Sequence, residues 1–318
     1  MKIVVLDALP LNPGDVSWQP LKALGDLEIH EATAPGELAE RVKDADIVLV
    51  NKVKIGGDEI PALSSCRLVG ALATGVNNLD TGALARAGIA VCNVPGYGVA
   101  DVAQHTIALL LEICNNVGEE AAAVRAGEWQ RRGVWCYWRK APLCLSGLVL
   151  GIIGFGAIGE RVGEIGHALG MSVLASGRSE RKAPEWGPFE YVAPDEIFTR
   201  SDVICLHCPL TPQTAQIVNA QTLVKMKRGG IIINTARGGL VDELAVARAL
   251  KSGQLYGYGA DVLSLEPPKD DNPLLHAPNA YITPHLAWAT TAARQRIIDI
   301  MAENIHAFLA GKKKNRIV

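Results

Sequence analysis

Short apolar runs without alternation recur along nearly the whole chain, separated by stretches whose apolar positions fall three or four apart. In the first lobe Lys2–Leu6, Leu27–His30, Ile47–Val50, Leu68–Leu72 and Ile89–Cys92 read as strands. Glu37–Lys43 and Asp80–Ala87 read as helices, the second opening on an acidic cap and closing at Gly88. A strand that is apolar at every position is buried on both faces, which means a parallel sheet covered by helices. After the turn signal Pro95-Gly-Tyr-Gly98 a long helix is predicted over Asp101–Asn115, with Val102, Thr106, Leu109, Leu110 and Ile113 at helical spacing, lying between two lobes. A second series follows: Leu148–Ile153, Ser172–Ala175, Val203–Leu206, Gly230–Asn234, Gly257–Asp261 and Ala280–Ile282. Six strands with helices between them is the count of a doubly wound nucleotide-binding sheet. The final helix, about Thr290–Ala310, is amphipathic through Ile297, Ile300, Met301, Ile305 and Phe308 and ends at Gly311, and Lys312–Lys314 suits a solvated helix end.

Composition narrows the class of protein. A chain of 318 residues exceeds what one core usually serves, and 49% hydrophobic with 20% charged residues is a globular balance. With 31 basic against 33 acidic residues, nothing suggests a nucleic-acid or anionic-membrane surface. No apolar run approaches the roughly 20 residues of a membrane helix. Asp7 follows the opening apolar run too soon for a signal-peptide core, so a cytoplasmic protein is expected. The seven cysteines show no framework spacing. Cys205-Leu-His-Cys208 could suggest a metal, but positions i and i+3 of a strand face opposite ways, so no metal is expected there.

The strongest local motif is Gly154-Phe-Gly156-Ala-Ile-Gly159, directly after an apolar strand and opening a helix. In such a loop the first glycine permits the turn, the second lets a pyrophosphate approach the backbone, and the third allows close packing. The helix start, with Ala157 and Ile158, offers N–H groups and positive dipole to phosphates. The next strand normally ends in an acidic residue for the adenosine ribose. Here it ends in Ser176-Gly177-Arg178, with Arg181 and Lys182 behind, so no carboxylate repels a 2′-phosphate and NADP(H) is favoured over NAD(H). A plain solvated Arg178 is the alternative.

Three further charged residues stand just past strands: Arg237 in Asn234-Thr-Ala-Arg237-Gly, Glu266 in Asp261-Val-Leu-Ser-Leu-Glu266-Pro267, and His285 in Thr283-Pro-His285. Together with the glycine loop, in this order, they resemble the D-isomer-specific 2-hydroxyacid dehydrogenase family over essentially the full chain. Ala73-Thr74-Gly75-Val76-Asn77 and Gln104-His105-Thr106 fit as well, while Val50-Asn-Lys52 and Trp135-Cys-Tyr-Trp138 are most similar to its glycerate dehydrogenase (hydroxypyruvate reductase) branch. The resemblance implies a Rossmann-type cofactor domain at 99–287 and a flavodoxin-like substrate domain made of 1–98 and 288–318. It also implies transfer of hydride between NAD(P)H and a small 2-keto acid such as hydroxypyruvate or glyoxylate. By the same resemblance His285 is the general acid, Glu266 its partner on the other ring nitrogen, and Arg237 the holder of the substrate carboxylate. Lys52, Thr74, Gly75 and Val76 join the substrate site, and Thr74, Cys208, Pro209, Thr214, Thr235, Ala236 and Asp261 touch the cofactor. A homodimer through the cofactor domain is implied, with Trp138 reaching the partner's substrate pocket.

Each residue has an ordinary structural alternative. Arg237 could pair with Asp242 or Glu243, Glu266 could be a loop carboxylate, and His105 is expected to be packed or hydrogen-bonded rather than catalytic. At the level of function the alternatives are reduction of a phenylpyruvate-like or branched-chain keto acid, and a non-catalytic cofactor sensor of the corepressor kind.

Overall fold

The apolar runs of the first lobe become five strands. In chain order they and their helices are β1 (Lys2–Val5), α1 (Gln19–Lys22), β2 (Asp26–Ile29), α2 (Leu38–Val42), β3 (Ile47–Val50), β4 (Leu68–Ala71), α3 (Thr81–Arg86) and β5 (Ala90–Cys92). All five pair in parallel, in the order β2-β1-β3-β4-β5. This is the flavodoxin-like arrangement, whose direction of winding reverses between β1 and β3. Alternate residues feed two cores: Ile3, Val5, Ile47 and Leu49 on one side, Val4, Leu6, Val48 and Val50 on the other. Asp80 caps α3 by accepting the Ala83 N–H at 2.8 Å.

The structure is a computed structural model, described over residues 1–177 and 182–318. The chain divides into two units, Met1–Gly98 with Trp288–Val318, and Val99–Ala287. The second unit contains α4 (Val99–Asn115), α5 (Val117–Arg125), α6 (Glu128–Arg132), β6 (Val149–Ile153), α7 (Ala157–Ala168), β7 (Ser172–Ser176), β8 (Phe189–Tyr191), α8 (Pro194–Arg200), β9 (Val203–Leu206), α9 (Ala220–Lys225), β10 (Gly230–Asn234), α10 (Glu243–Ser252), β11 (Leu255–Ala260) and β12 (Ala280–Ile282). The chain then returns to the first unit with α11 (Thr291–Leu309).

The second sheet has seven parallel strands, ordered β12-β11-β10-β9-β6-β7-β8, a Rossmann-type sheet with one strand more than the apolar pattern predicts. The extra strand is β8, a three-residue edge with half-buried Phe189 and Tyr191 packed on Phe155, too short to show a periodic run. Helix α4, expected between lobes, belongs to the second unit. Its Ala103, Leu110 and Ile113 share a core with Leu150 and Ile152 of β6 and Ile231 and Ile233 of β10. Cys205 joins that same core, whereas Cys208 joins the core on the opposite side of the sheet with Ile204 and Leu206. No group of three or more His, Cys, Asp or Glu among the described residues is placed to hold a metal ion. No helix among them is long and apolar enough to cross a membrane.

In the first unit α11 lays Ile297, Ile298, Met301 and Ile305 on the core beside β1, β3 and β4. The tail beyond it pairs with β5: Ile317 N–H donates to Val91 O at 2.7 Å, and Cys92 faces Arg316 in antiparallel register. That covers an edge otherwise open to pairing with another chain. Lys314 in the basic run pairs with Glu303 at 2.6 Å.

Candidate active site

The turn after β6 can only be glycine. Gly154 has φ +100°, and a Cβ there would lie 2.4 Å from the Cys208 amide nitrogen. Its own N–H donates to Ser176 O at 2.7 Å, tying β6 to the end of β7. A Cβ on Gly159 would meet Gly154 O at 2.5 Å, so the helix start is pressed onto the turn. At Gly156, by contrast, an added Cβ meets nothing within 4 Å. The first-turn N–H groups of α7, on Ala157, Ile158 and Gly159, lack intrahelical acceptors by the geometry of any helix start. Their dipole favours an anion at this open cradle. The donor set and the space both fit a dinucleotide pyrophosphate.

Past β7, Ser176 is buried and Gly177 follows it without a carboxylate. Arg178 and Arg181 lie outside the described residues; Lys182 is exposed and stands 3.7 Å from Glu185. In the segment after β9, the Cys208 side chain is buried in the core, which pushes its thiol pKa up and leaves only its backbone beside the glycine turn. Pro209 is exposed. The Thr214 hydroxyl donates to Pro209 O at 2.7 Å and accepts from Thr211 N at 2.8 Å, so it is engaged within its own loop. The neighbouring His207 Nε2 is buried without a partner among the described residues, and burial lowers this imidazole to about 4.

The charged trio sits on adjoining segments at the carboxyl ends of β10, β11 and β12. Asn234, fully buried, shapes the turn that presents Arg237: its Nδ2 donates to Arg237 O at 2.9 Å and its Oδ1 accepts the Ala236 N–H at 3.1 Å. Thr235 Oγ1 lies 2.8 Å from Thr106 Oγ1 on α4. Arg237 makes no ion pair among the described residues, because both alternative partners are occupied elsewhere. Asp242 caps α10 through the Ala245 N–H, and Glu243 accepts from Ser264 N and Asn272 Nδ2. Gly238 is pressed so closely on the chain after β11 that a Cβ would stand 1.9 Å from the Leu263 carbonyl carbon.

His285 and Glu266 are hydrogen-bonded, Nδ1 to Oε2, at 2.6 Å. The other Glu266 oxygen accepts the Leu263 N–H at 3.0 Å, which fixes the carboxylate in its own loop. His285 adopts φ +53°, a left-handed conformation that side chains with a Cβ enter at a cost. Asp261 holds that bend. It is 1% exposed, and it accepts the Thr283 hydroxyl at 2.6 Å and the N–H groups of Leu286 and Ala287 at 2.9 and 2.8 Å. Assigned to the cofactor by resemblance, Asp261 is placed here as the anchor of the histidine segment. His105 is hydrogen-bonded to Thr283 Oγ1 at 2.9 Å and takes no part in the pair.

The first unit carries its own set. Lys52 is exposed just past β3, and the turn that presents it is held by buried Asp7, which accepts the N–H groups of Asn51, Lys52 and Val53 at 2.7, 2.5 and 2.9 Å. Burial raises the pKa of Asp7 although those three donors oppose the shift. Asn51 Nδ2 donates to Leu72 O at 2.9 Å, linking this turn to the loop that contains Thr74, Gly75 and Val76. The Thr74 hydroxyl donates to Val94 O at 2.8 Å, and Thr74 O accepts Asn93 Nδ2 at 2.7 Å, so the loop is held on the segment after β5. Asp7, Asn51, Asn234 and Glu243 are absent from the sequence-based site. A polar residue at or just past the end of a buried strand is the one signal that points to Asp7, Asn51 and Asn234.

Exposed aromatics gather beyond α6: Trp135 is 90% and Trp138 62% exposed, next to Trp129 and Val134. A family model described as D-isomer specific 2-hydroxyacid dehydrogenase, NAD binding domain, matches residues 107–287. The chain is 45% identical over 318 residues to a hydroxypyruvate reductase of Blautia hydrogenotrophica, with 99% of each covered. It is 39% identical over 317 residues to a glycerate dehydrogenase of Methylorubrum extorquens, covering 99% of this chain and 98% of that one. Among solved structures, a protein of Thermus thermophilus superposes with a TM-score of 0.85 at 33% identity, over all of both chains.

Proposed function

Because this chain belongs to the D-isomer specific 2-hydroxyacid dehydrogenase family and is an oxidoreductase moving hydride between a nicotinamide cofactor and a small 2-keto acid, we propose that it reduces hydroxypyruvate to D-glycerate, and glyoxylate to glycolate. The observation that carries the reaction is the 2.6 Å bond between His285 Nδ1 and Glu266. That bond commits Nδ1, so the proton delivered to the keto oxygen comes from Nε2. The planar fork of Arg237 matches the two oxygens of the substrate carboxylate. When bound, the reduced nicotinamide supplies the hydride to the keto carbon. With a proton from His285 the carbonyl becomes a hydroxyl, and the imidazole regains its proton from solvent.

The choice of substrate rests on the likeness to a hydroxypyruvate reductase and a glycerate dehydrogenase, each matched over almost its whole length. The corepressor-type alternative gives way, since both relatives are named as enzymes. NADP(H) is placed ahead of NAD(H) because β7 ends at Ser176 and Gly177 follows it, so that no carboxylate at the strand end repels a 2′-phosphate. Self-association through the exposed Trp129, Trp135 and Trp138 face is part of the same reading, since aromatics of this kind are enriched where copies meet.

The test is the initial rate of loss of reduced-nicotinamide absorbance, with hydroxypyruvate, glyoxylate, pyruvate and phenylpyruvate, each with NADPH and NADH. Fastest turnover of hydroxypyruvate is expected, with kcat falling about 100-fold or more in His285→Ala. Preference for phenylpyruvate would replace the proposed substrate, and undiminished kcat in His285→Ala would refute the acid.

A further inference from the structure

Glu243 opens α10, yet it does not cap that helix; Asp242 does, through the Ala245 N–H at 3.0 Å. The Glu243 carboxylate turns instead to the segment between β11 and β12. Its Oε1 accepts the Ser264 N–H at 2.7 Å and its Oε2 accepts Asn272 Nδ2 at 2.9 Å. Asn272 is buried, and its own Oδ1 accepts the Leu274 N–H at 3.0 Å, so that anchor is fixed at both ends. Ser264 is also closely packed against Gly238. An added Cβ on Gly238 would stand 2.3 Å from the Ser264 nitrogen, with no slack between the two strands of chain. One residue back, Leu263 N–H donates to Glu266 Oε1 at 3.0 Å, and Glu266 Oε2 meets His285 Nδ1. An unbroken line of short contacts therefore runs from Glu243 through Ser264 and Leu263 to Glu266 and the histidine ring. It begins on the same segment as Arg237, shortly after it in the chain.

We propose that Glu243 is a positioning residue for hydride transfer: it fixes the Glu266 loop, and through Glu266 the ring of His285, against the Arg237 segment. This rests on the roles given to Glu266 and His285 above. The chemistry needs a carboxylate. Two donors converge on it, and only an ionised acid presents an acceptor to both. Glutamine has nearly the same shape but sets an NH2 group against one of those donors, which displaces the loop without opening a cavity. A displacement of about 1 Å is enough to matter, because proton and hydride must be delivered to neighbouring atoms of one substrate.

The experiment compares purified wild type with Glu243→Gln, Glu266→Gln, the double variant and Asn272→Ala, recording kcat, KM for the keto acid, the Kd of the reduced cofactor and Tm. Glu243→Gln is expected to lower kcat about tenfold with KM and cofactor Kd within about twofold, since substrate binding through Arg237 is kept. In the Glu266→Gln background the same change should add almost nothing, because the two residues act in series. Asn272→Ala removes one of the two anchors and should lower kcat by about threefold, which keeps the test open if Glu243→Gln folds poorly. A kcat within twofold of wild type in Glu243→Gln, with only Tm lowered, overturns the proposal and leaves Glu243 as a structural brace. Losses that multiply in the double variant overturn it too. A wild-type kcat in Glu266→Gln instead removes the reading of Glu266 on which it stands.

Discussion

At Gly177 the proposed preference for NADP(H) rests on one missing carboxylate. An aspartate at this strand end would accept the ribose hydroxyls of NAD(H) and repel the 2′-phosphate of NADP(H). Gly177→Asp should therefore move the ratio of kcat/KM values toward NADH by about tenfold or more, a change that needs only about 1.4 kcal/mol. An unmoved ratio in steady-state kinetics would show that selection happens elsewhere. Single residues also show where reading a sequence stops. The candidates Arg237, Glu266 and His285 are legible because charged side chains just past apolar strands are conspicuous. A brace such as Glu243 is not, because nothing in the sequence marks the Ser264 N–H and the Asn272 amide that it meets. The same ambiguity affects Thr214, whose hydroxyl is as suited to a ligand as to the Pro209 carbonyl it meets.

Elements inherit their placement from a few such contacts, and α11 is the clearest case. Arg294, buried in its first turns, makes a bidentate pair with Asp15 at 2.5 and 2.6 Å and also reaches Leu11 O at 3.1 Å. The helix is thereby tied to the loop after β1. The guanidinium holds the Asp15 carboxyl down at about 2, below its ordinary 3.8. A depressed carboxyl stabilises the fold above its unfolded pKa and loses that contribution as pH falls through its folded one. Asp15→Asn should therefore melt below wild type at pH 6, and the two melting curves should converge between about pH 4 and pH 2 in calorimetry. A gap that stays constant across this range would mean the pair contributes nothing through charge. Most elements are legible from their apolar runs, since most strands are buried on both faces. β8 is the exception: at this edge half-buried Phe189 and Tyr191 flank exposed Glu190, so no apolar run marks it.

For the molecule as a whole, the division into two parallel-sheet units follows from the count of apolar runs, whereas its surface does not. In the sequence the tryptophan cluster fits an interface as well as a core patch, and in the fold Trp135 and Trp138 are exposed. Trp135→Ser should weaken self-association measured by sedimentation equilibrium, and Trp138→Ala should change the ratio of kcat/KM for hydroxypyruvate over glyoxylate. A Trp138→Ala variant with altered assembly and an intact ratio would confine that residue to the interface. The interrupted course of the first unit has one more consequence. Met301 and Ile305 of α11 complete a core whose other side is built from β1, β3 and β4, with the whole second unit inserted between them in the chain. On a ribosome the opening strands therefore emerge long before the helix that closes over them, while the inserted unit already has all its parts. The nicotinamide-binding half can mature first, and the leading sheet waits, partly uncovered, for the last helix to leave the exit tunnel.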